Sequence, residues 1–367
     1  MLKNFFLKHM QESAANSAEM NRFLDILKQL IRTPSVIGSE HPFFLFLQRE
    51  LEEIGIKATL YEGLLVAEGE KPEQGMMSAH IDRHGLICTG PNEFQYAAFI
   101  AQNRGDLTGD SVSEKTYQNI RDRFIHQRVQ AYEPWSGAYL GLGTIDNAYM
   151  CERRANLVFN VSGLEHLHAG TPVAYLDVLK YEEGYLSAQL DNVLSAALIL
   201  FLYERGYQGR AFFTAEEEVG KSWRYLLEWF RGHDLSTDEL LVLDTSPFPD
   251  RVTAEAQDIV LRRKDANATF ISPMTQKIET ICNAKSIPFG YKDEFIEKLN
   301  EGFLKEGKPL YTLGSTEMGR LAKSSEGSIQ GTTFQLPTTG YHTTEETVSL
   351  KTLQNAIEVL ETLYLTS

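Results

Sequence analysis

Three consecutive acids, Glu216-Glu217-Glu218, sit where an apolar strand pattern, Arg210 to Thr214, gives way to Val219-Gly220. Adjacent carboxylates at a strand end resist joint ionisation unless a cation or a shared proton intervenes. Taken alone, such a run also fits a solvated acidic turn. It does not stand alone. His80 and Asp82 follow a buried-strand pattern, Asp244 ends another, His342 lies just beyond a third, and Asp191-Asn192 opens an apolar helix. In an open α/β sheet, groups at the carboxyl ends of strands collect in one crevice. Asp191 joins them because helix amides at an N-terminus favour a carboxylate.

Two histidines and several carboxylates without cysteine form the donor set of a hydrolytic zinc, manganese or cobalt site, not of a structural zinc. Their number suits two ions. A dinuclear site needs one shared carboxylate and one unligated acid to take a proton from water. The Glu217-Glu218 pair offers both a ligand and a base.

The elements that position these residues follow from periodicity. Met20, Phe23, Leu27, Leu30 and Ile31 mark a first helix that Pro34 ends, and Phe44, Leu47 and Leu51 mark a second. Ile56 to Tyr61, Leu64 to Ala67 and Gly75 to Ala79 read as strands. From Leu190 onward, helix and strand alternate again: Val193 to Tyr203 is an almost wholly apolar helix, Glu239 to Leu243 a buried strand, Gln276 to Lys285 a helix, and Thr332 to Leu336 the last strand before His342. Leu350, Leu353, Ile357 and Leu360 mark a closing amphipathic helix. Between them, Tyr96 to Gln102, Val129 to Tyr132, Leu157 to Val161 and Val173 to Leu176 are short strand-like pieces with weak helical periodicity. We therefore expect a catalytic α/β domain formed by 1–90 plus 183–367 and an inserted small β domain at 91–182.

Composition excludes several function classes. The chain has 367 residues and a net charge of −15, which lacks the basic footprint of nucleic-acid binding and suits metal cations as partners. No segment reaches membrane-spanning length, so no membrane partner is expected. Phe5, Phe6 and Leu7 are not followed by an apolar core or a cleavage site, so no signal peptide is expected. Cys88, Cys151 and Cys282 are few, odd in number and widely spaced, as in a reducing cytoplasm.

Five motifs in order, His80-Ile81-Asp82 with Gly85, Leu190-Asp191-Asn192, Phe213 through Gly220, the Asp244 strand end, and Pro337 through Glu345, resemble those of the dinuclear aminopeptidases that include glutamyl aminopeptidase and the tetrahedral dodecameric aminopeptidases. The resemblance covers most of the chain. It implies a dizinc exopeptidase-like α/β fold, a central mixed sheet flanked by helices with a small inserted β-rich domain. It implies two divalent ions, zinc first with cobalt or manganese as alternatives: His80, Asp191 and Asp244 on one, Asp191, Glu218 and His342 on the other. Glu217 would be the catalytic base, Glu216 a bystander, and Asp82 would orient His80. Substrates would be peptides with a free amino terminus, and the chain would assemble as a homo-oligomer, up to a dodecamer.

Related metal carboxypeptidases and deacylases place their extra domain after the third strand-end ligand, whereas here it lies between Asp82 and Asp191. That placement favours the aminopeptidase. A deacylase or carboxypeptidase on the same core, or a metal-binding scaffold without catalysis, remains the alternative. The chain departs from the family pattern at Arg83-His84, at Val193 and at Thr316-Glu317-Met318. His84 reads as an exposed loop histidine, with a place lining the substrate pocket as the alternative; Arg262-Arg263-Lys264-Asp265 reads as a solvated turn, with the resemblance leaving a role near the substrate as the alternative; and Ile296 to Lys308 is compatible with a surface insertion.

Overall fold

A computed structural model describes residues 18–101, 107–108, 111–112, 114–153 and 156–365; the segment 1–10 and Gln102 lie outside them. Eight strands form one mixed sheet. Its centre is four parallel strands in the order Arg210–Thr214, Met76–His80, Thr237–Pro247, Ile329–Thr338. Antiparallel Lys57–Tyr61 and Leu64–Glu68 complete one side, and Ile259–Leu261 with Phe289–Tyr291 complete the other.

Sheet alternation sorts side chains onto two faces. Leu65, Met77, Phe213, Leu241 and Phe334 meet the helices over 18–32, His41–Glu53, Val193–Glu204, Pro273–Lys285 and Leu350–Tyr364. Val66, Phe212, Leu240 and Val242 meet Ser222–Gly232 and Glu317–Ser324 on the opposite face. The result is a three-layer α/β/α sandwich. Val193 to Tyr203 is buried all round, which its unbroken apolar sequence requires.

Six strands between Leu86 and Tyr175 close into a barrel, in the order Asn156–Ser162, Glu93–Tyr96, Leu86–Gly90, Pro172–Tyr175, Arg128–Tyr132, Tyr139–Cys151. Two local expectations are corrected there. The strand expected from Tyr96 to Gln102 stops at Tyr96, where Ala97–Ile100 turns into a short helix with Ala97, Ala98 and Phe99 buried. Glu114–Phe124 is a helix that the polar sequence conceals, marked only by Tyr117, Ile120 and Phe124, of which the last two are buried in the barrel core. Barrel and sandwich interlock at the acidic turn, because Val219 packs into the barrel's apolar cluster.

A further three-stranded sheet pairs Lys180–Glu182, Tyr185–Ala188 and Glu346–Ser349, and so ties the approach to Asp191 to the segment after His342. The last central strand is held close to its neighbour at Gly331, where an added Cβ would lie 2.0 Å from the Leu240 carbonyl oxygen and 2.8 Å from Met318 Sδ. Gly331→Ala should therefore lower stability by about 1–3 kcal/mol in urea unfolding, the usual cost of overpacking. An unchanged midpoint would mean the two strands are not held in this register.

Candidate metal centre

His80 is the last residue of its strand and is buried. Two residues on, Asp82 is fully buried; its Oδ1 accepts the Glu217 amide at 2.9 Å and its Oδ2 the Glu218 amide at 3.1 Å. One carboxylate thus fixes the backbone of both acids, and it also stands 3.4 Å from His80 Nδ1. Glu216 turns the chain through φ +58° and is spent elsewhere, on Lys221 at 2.8 Å and on the Tyr225 hydroxyl. Glu346 makes the same kind of clamp opposite. Its Oε2 accepts the Leu190 and Asp191 amides at 2.6 and 2.7 Å, and its Oε1 accepts the His342 amide. Asp244 presents Oδ1 to His80 Nε2 at 3.5 Å from within its strand.

The five expected ligands converge, and Asp191 stands between the histidines. Its Oδ1 is 3.2 Å from His80 Nε2, and its Oδ2 is 3.6 Å from His342 Nε2. Glu218 Oε1 is 3.2 Å from His342 Nε2. Atoms on a tetrahedral ion with bonds near 2.1 Å sit roughly 3.4 Å apart, and these spacings match the edges of such a polyhedron. Asp191 Oδ1 and His342 Nε2 are buried yet make no hydrogen bond, a costly state that a cation on each side of Asp191 would relieve. The donors fit two divalent ions.

Desolvation and neighbouring charge set the protonation. Desolvation, with Asp244 and Glu218 adding to it against His80, pushes the Glu217 carboxyl well above its usual range. Burial likewise pushes Asp191 up to about 6, with His80 opposing and Glu218 and Asp244 reinforcing. Glu218 is held well below the usual range: burial opposes ionisation there, but His342 and His84 outweigh it. For His80, burial works to lower the pKa, and the facing carboxylates of Asp191, Asp244 and Asp82 outweigh it and push the imidazole well above its usual value.

No protein-family model and no curated protein sequence matches the chain. Solved structures do. A TET aminopeptidase of a marine sediment archaeon of the Thaumarchaeota aligns over 94% of this chain and 96% of its own, with TM-score 0.68 and 14% identity. The TET1 peptidase of Pyrococcus horikoshii, described as assembling into a tetrahedron or a large octahedral shell, aligns over 93% and 99%, with TM-score 0.65 and 17% identity. The chain has the fold of the TET aminopeptidases. A protein of Thermotoga maritima named an endoglucanase shares it too, at TM-score 0.60 and 15% identity over 92% of this chain. The TET fold alone therefore does not carry an activity, and the reaction has to be argued from the site.

In this TET fold a cleft of about 640 Å³ opens beside the metal centre, with His80, Asp191, Glu217, Glu218 and Asp244 on its wall. The helix Lys292–Glu306, whose sequence suggested a surface insertion, forms the facing wall with Phe295, Ile296, Leu299 and Phe303. Arg262 is no solvated turn residue. It is 6% exposed, donates to Gln335 Oε1 and the Leu313 carbonyl, and lines the cleft, whereas Arg263 beside it stays exposed. Lys292 lies over the Phe248 ring at 3.8 Å, and burial with Arg262 nearby pushes its amine down to about 7.

Three residues at the centre escaped sequence reasoning. His84, expected to be exposed, is 5% exposed and faces Glu218 Oε2 at 3.2 Å. Its misreading came from treating the Arg83-His84 loop as exposed, whereas Arg83 is itself buried and donates to Ser35 and to the Ile31 and Thr33 carbonyls. Glu346 follows Glu345 as a second adjacent acid pair, the signal that had been weighed at Glu217-Glu218 and not here. Tyr96 carried no signal at all. Removing the Asp82 clamp should leave two amides unpaired at about 1–3 kcal/mol each. Asp82→Ala is expected to lower the urea midpoint accordingly, and wild-type stability would show that the clamp holds nothing.

Proposed function

We propose that the chain is a dinuclear metallo-aminopeptidase. The observation that carries this is Asp191 facing both histidines while Glu217 stays outside either ligand group on the cleft wall. His80, Asp191 and Asp244 would hold one ion, and Asp191, Glu218 and His342 the other, with zinc suited to this nitrogen and oxygen set and cobalt or manganese able to replace it. When bound, the two cations polarise the scissile carbonyl and acidify water. Glu217 takes the proton of the attacking water on its carboxylate and returns it to the leaving amine nitrogen. Its burial, which favours the protonated carboxyl, suits a group that must hold the proton between the two transfers. Asp82 keeps Glu217 and Glu218 in register by holding both amides.

The acidic surround of Glu217, Glu218 and Asp244 favours a substrate's free ammonium, and the apolar wall from Phe295 to Phe303 receives the first side chain. The names of the solved TET structures point the same way. Assembly into a homo-oligomer fits Trp135 and Tyr139, which stand 68% and 61% exposed on the barrel. Light scattering should give a multiple of 41.5 kDa, and a monomer would remove this part of the proposal.

Peptides with free amino termini should be cleaved and their N-acylated forms left intact; the reverse preference would mark a deacylase. Glu217→Gln should lower kcat by about 10²–10⁴-fold with metal content unchanged. Full activity in that variant would remove Glu217 as base. Because the facing carboxylates raise the His80 pKa, a proton competes with a cation for the ring, and zinc affinity should fall as pH falls. Calorimetric enthalpies should then differ between buffers of unlike ionisation enthalpy. Equal enthalpies would contradict proton release.

A further inference from the structure

Just before the first barrel strand, His84 joins Tyr96 of the barrel to His342 of the candidate metal centre. If His342 Nε2 is a ligand, as the proposed function requires, its neutral ring carries the proton on Nδ1, and that N–H needs an acceptor. His84 Nε2 lies 2.8 Å from His342 Nδ1, and His84 Nδ1 lies 2.6 Å from the Tyr96 hydroxyl oxygen. The two bonds fit a single polarity: His342 Nδ1–H donates to His84 Nε2, and His84 Nδ1–H donates to Tyr96. Arg123 Nη1, 3.4 Å from His342 Nδ1, has protons only to give and cannot serve as acceptor. Without a cation the opposite polarity is open, with His84 Nε2–H directed at Glu218 Oε2, 3.2 Å away.

We infer that His84, backed by Tyr96, is the positioning residue that orients His342 for the second metal ion, in the place where metal-bound histidines usually meet a carboxylate or a carbonyl. The pair is built to hold still. His84 is 5% exposed, and its carbonyl accepts Gln189 Nε2 at 3.0 Å, two residues before Asp191. Tyr96 sits edge-on to Phe99 and Phe124 in the barrel core, at centroid distances of 5.0 and 5.7 Å. Tyr341 stacks on His342 at 3.5 Å and restricts ring rotation from another side.

The inference rests on the two-metal reading, and the test separates the two. Full-length protein stripped with chelator is titrated with cobalt(II), followed by visible absorption and calorimetry. His342→Ala should abolish the second binding event; two unperturbed events there would overturn the metal assignment itself. With that control in hand, His84→Leu should weaken the second event about 10–100-fold and spare the first, because the Nδ1 proton loses its acceptor. His84→Gln, whose amide oxygen reaches the Nε2 position, should recover most of the loss. Tyr96→Phe should weaken the second event by a smaller factor, and Arg123→Met should leave it unchanged. Should His84→Leu not fold, His84→Gln and Tyr96→Phe carry the same comparison. Wild-type cobalt affinity in His84→Leu and Tyr96→Phe would overturn the inference. A loss in Arg123→Met equal to that in His84→Leu would transfer the role to Arg123, and a second event missing at every cobalt concentration in His84→Leu would make His84 a ligand instead.

Discussion

Carboxylates crowd one end of the sheet: Asp82, Asp191, Glu217, Glu218, Asp244 and Glu346 share a crevice with three imidazoles, His80, His84 and His342, among the described residues. Like charges in a desolvated pocket cannot all ionise, and the surrounding structure is organised to make the crowding tolerable. Two acids spend themselves on backbone amides. Asp82 binds the turn that presents Glu217 and Glu218, and Glu346 joins the Asp191 loop to the His342 loop. What remains faces inward, carboxylate towards imidazole, at separations that suit cations.

The rest of the architecture follows from delivering those groups. Four parallel strands bring His80, the acidic turn, Asp244 and the His342 segment to one edge, and the wholly buried helix after Asp191 fixes the remaining carboxylate. The barrel is more than an appendage. Val219 anchors the acidic turn in its core, and Tyr96 and Arg123 extend from it towards His342. The helix Lys292–Glu306 plays the complementary part from the sandwich side: it walls the cleft with apolar side chains over buried Lys292 and Arg262.

How far the sequence could be read depended on whether a residue's role was local. Strand-end acids and histidines are marked by the apolar runs before them, so the convergence of His80, Asp82, the Glu217-Glu218 pair, Asp244, His342 and Asp191 could be inferred from order and period, while the division of roles within the pair came from the family resemblance. The central strands were legible for the same reason, each being a short unbroken apolar run. His84 and Tyr96 were not, because their meaning comes from a contact between the barrel and a loop more than two hundred residues away. Helix Glu114–Phe124 was missed since only three apolar residues mark it. Helix Lys292–Glu306 was legible as a surface insertion and not as a cleft wall, because nothing local says which way an amphipathic face will turn.

The central claim is that Asp191 is shared by two cations. Crystals of the metal-loaded protein, measured on both sides of the zinc absorption edge, test it directly. The account predicts two anomalous peaks roughly 3.5–4 Å apart, one on each side of the Asp191 carboxylate. A single peak, or a pair that does not flank Asp191, would contradict it.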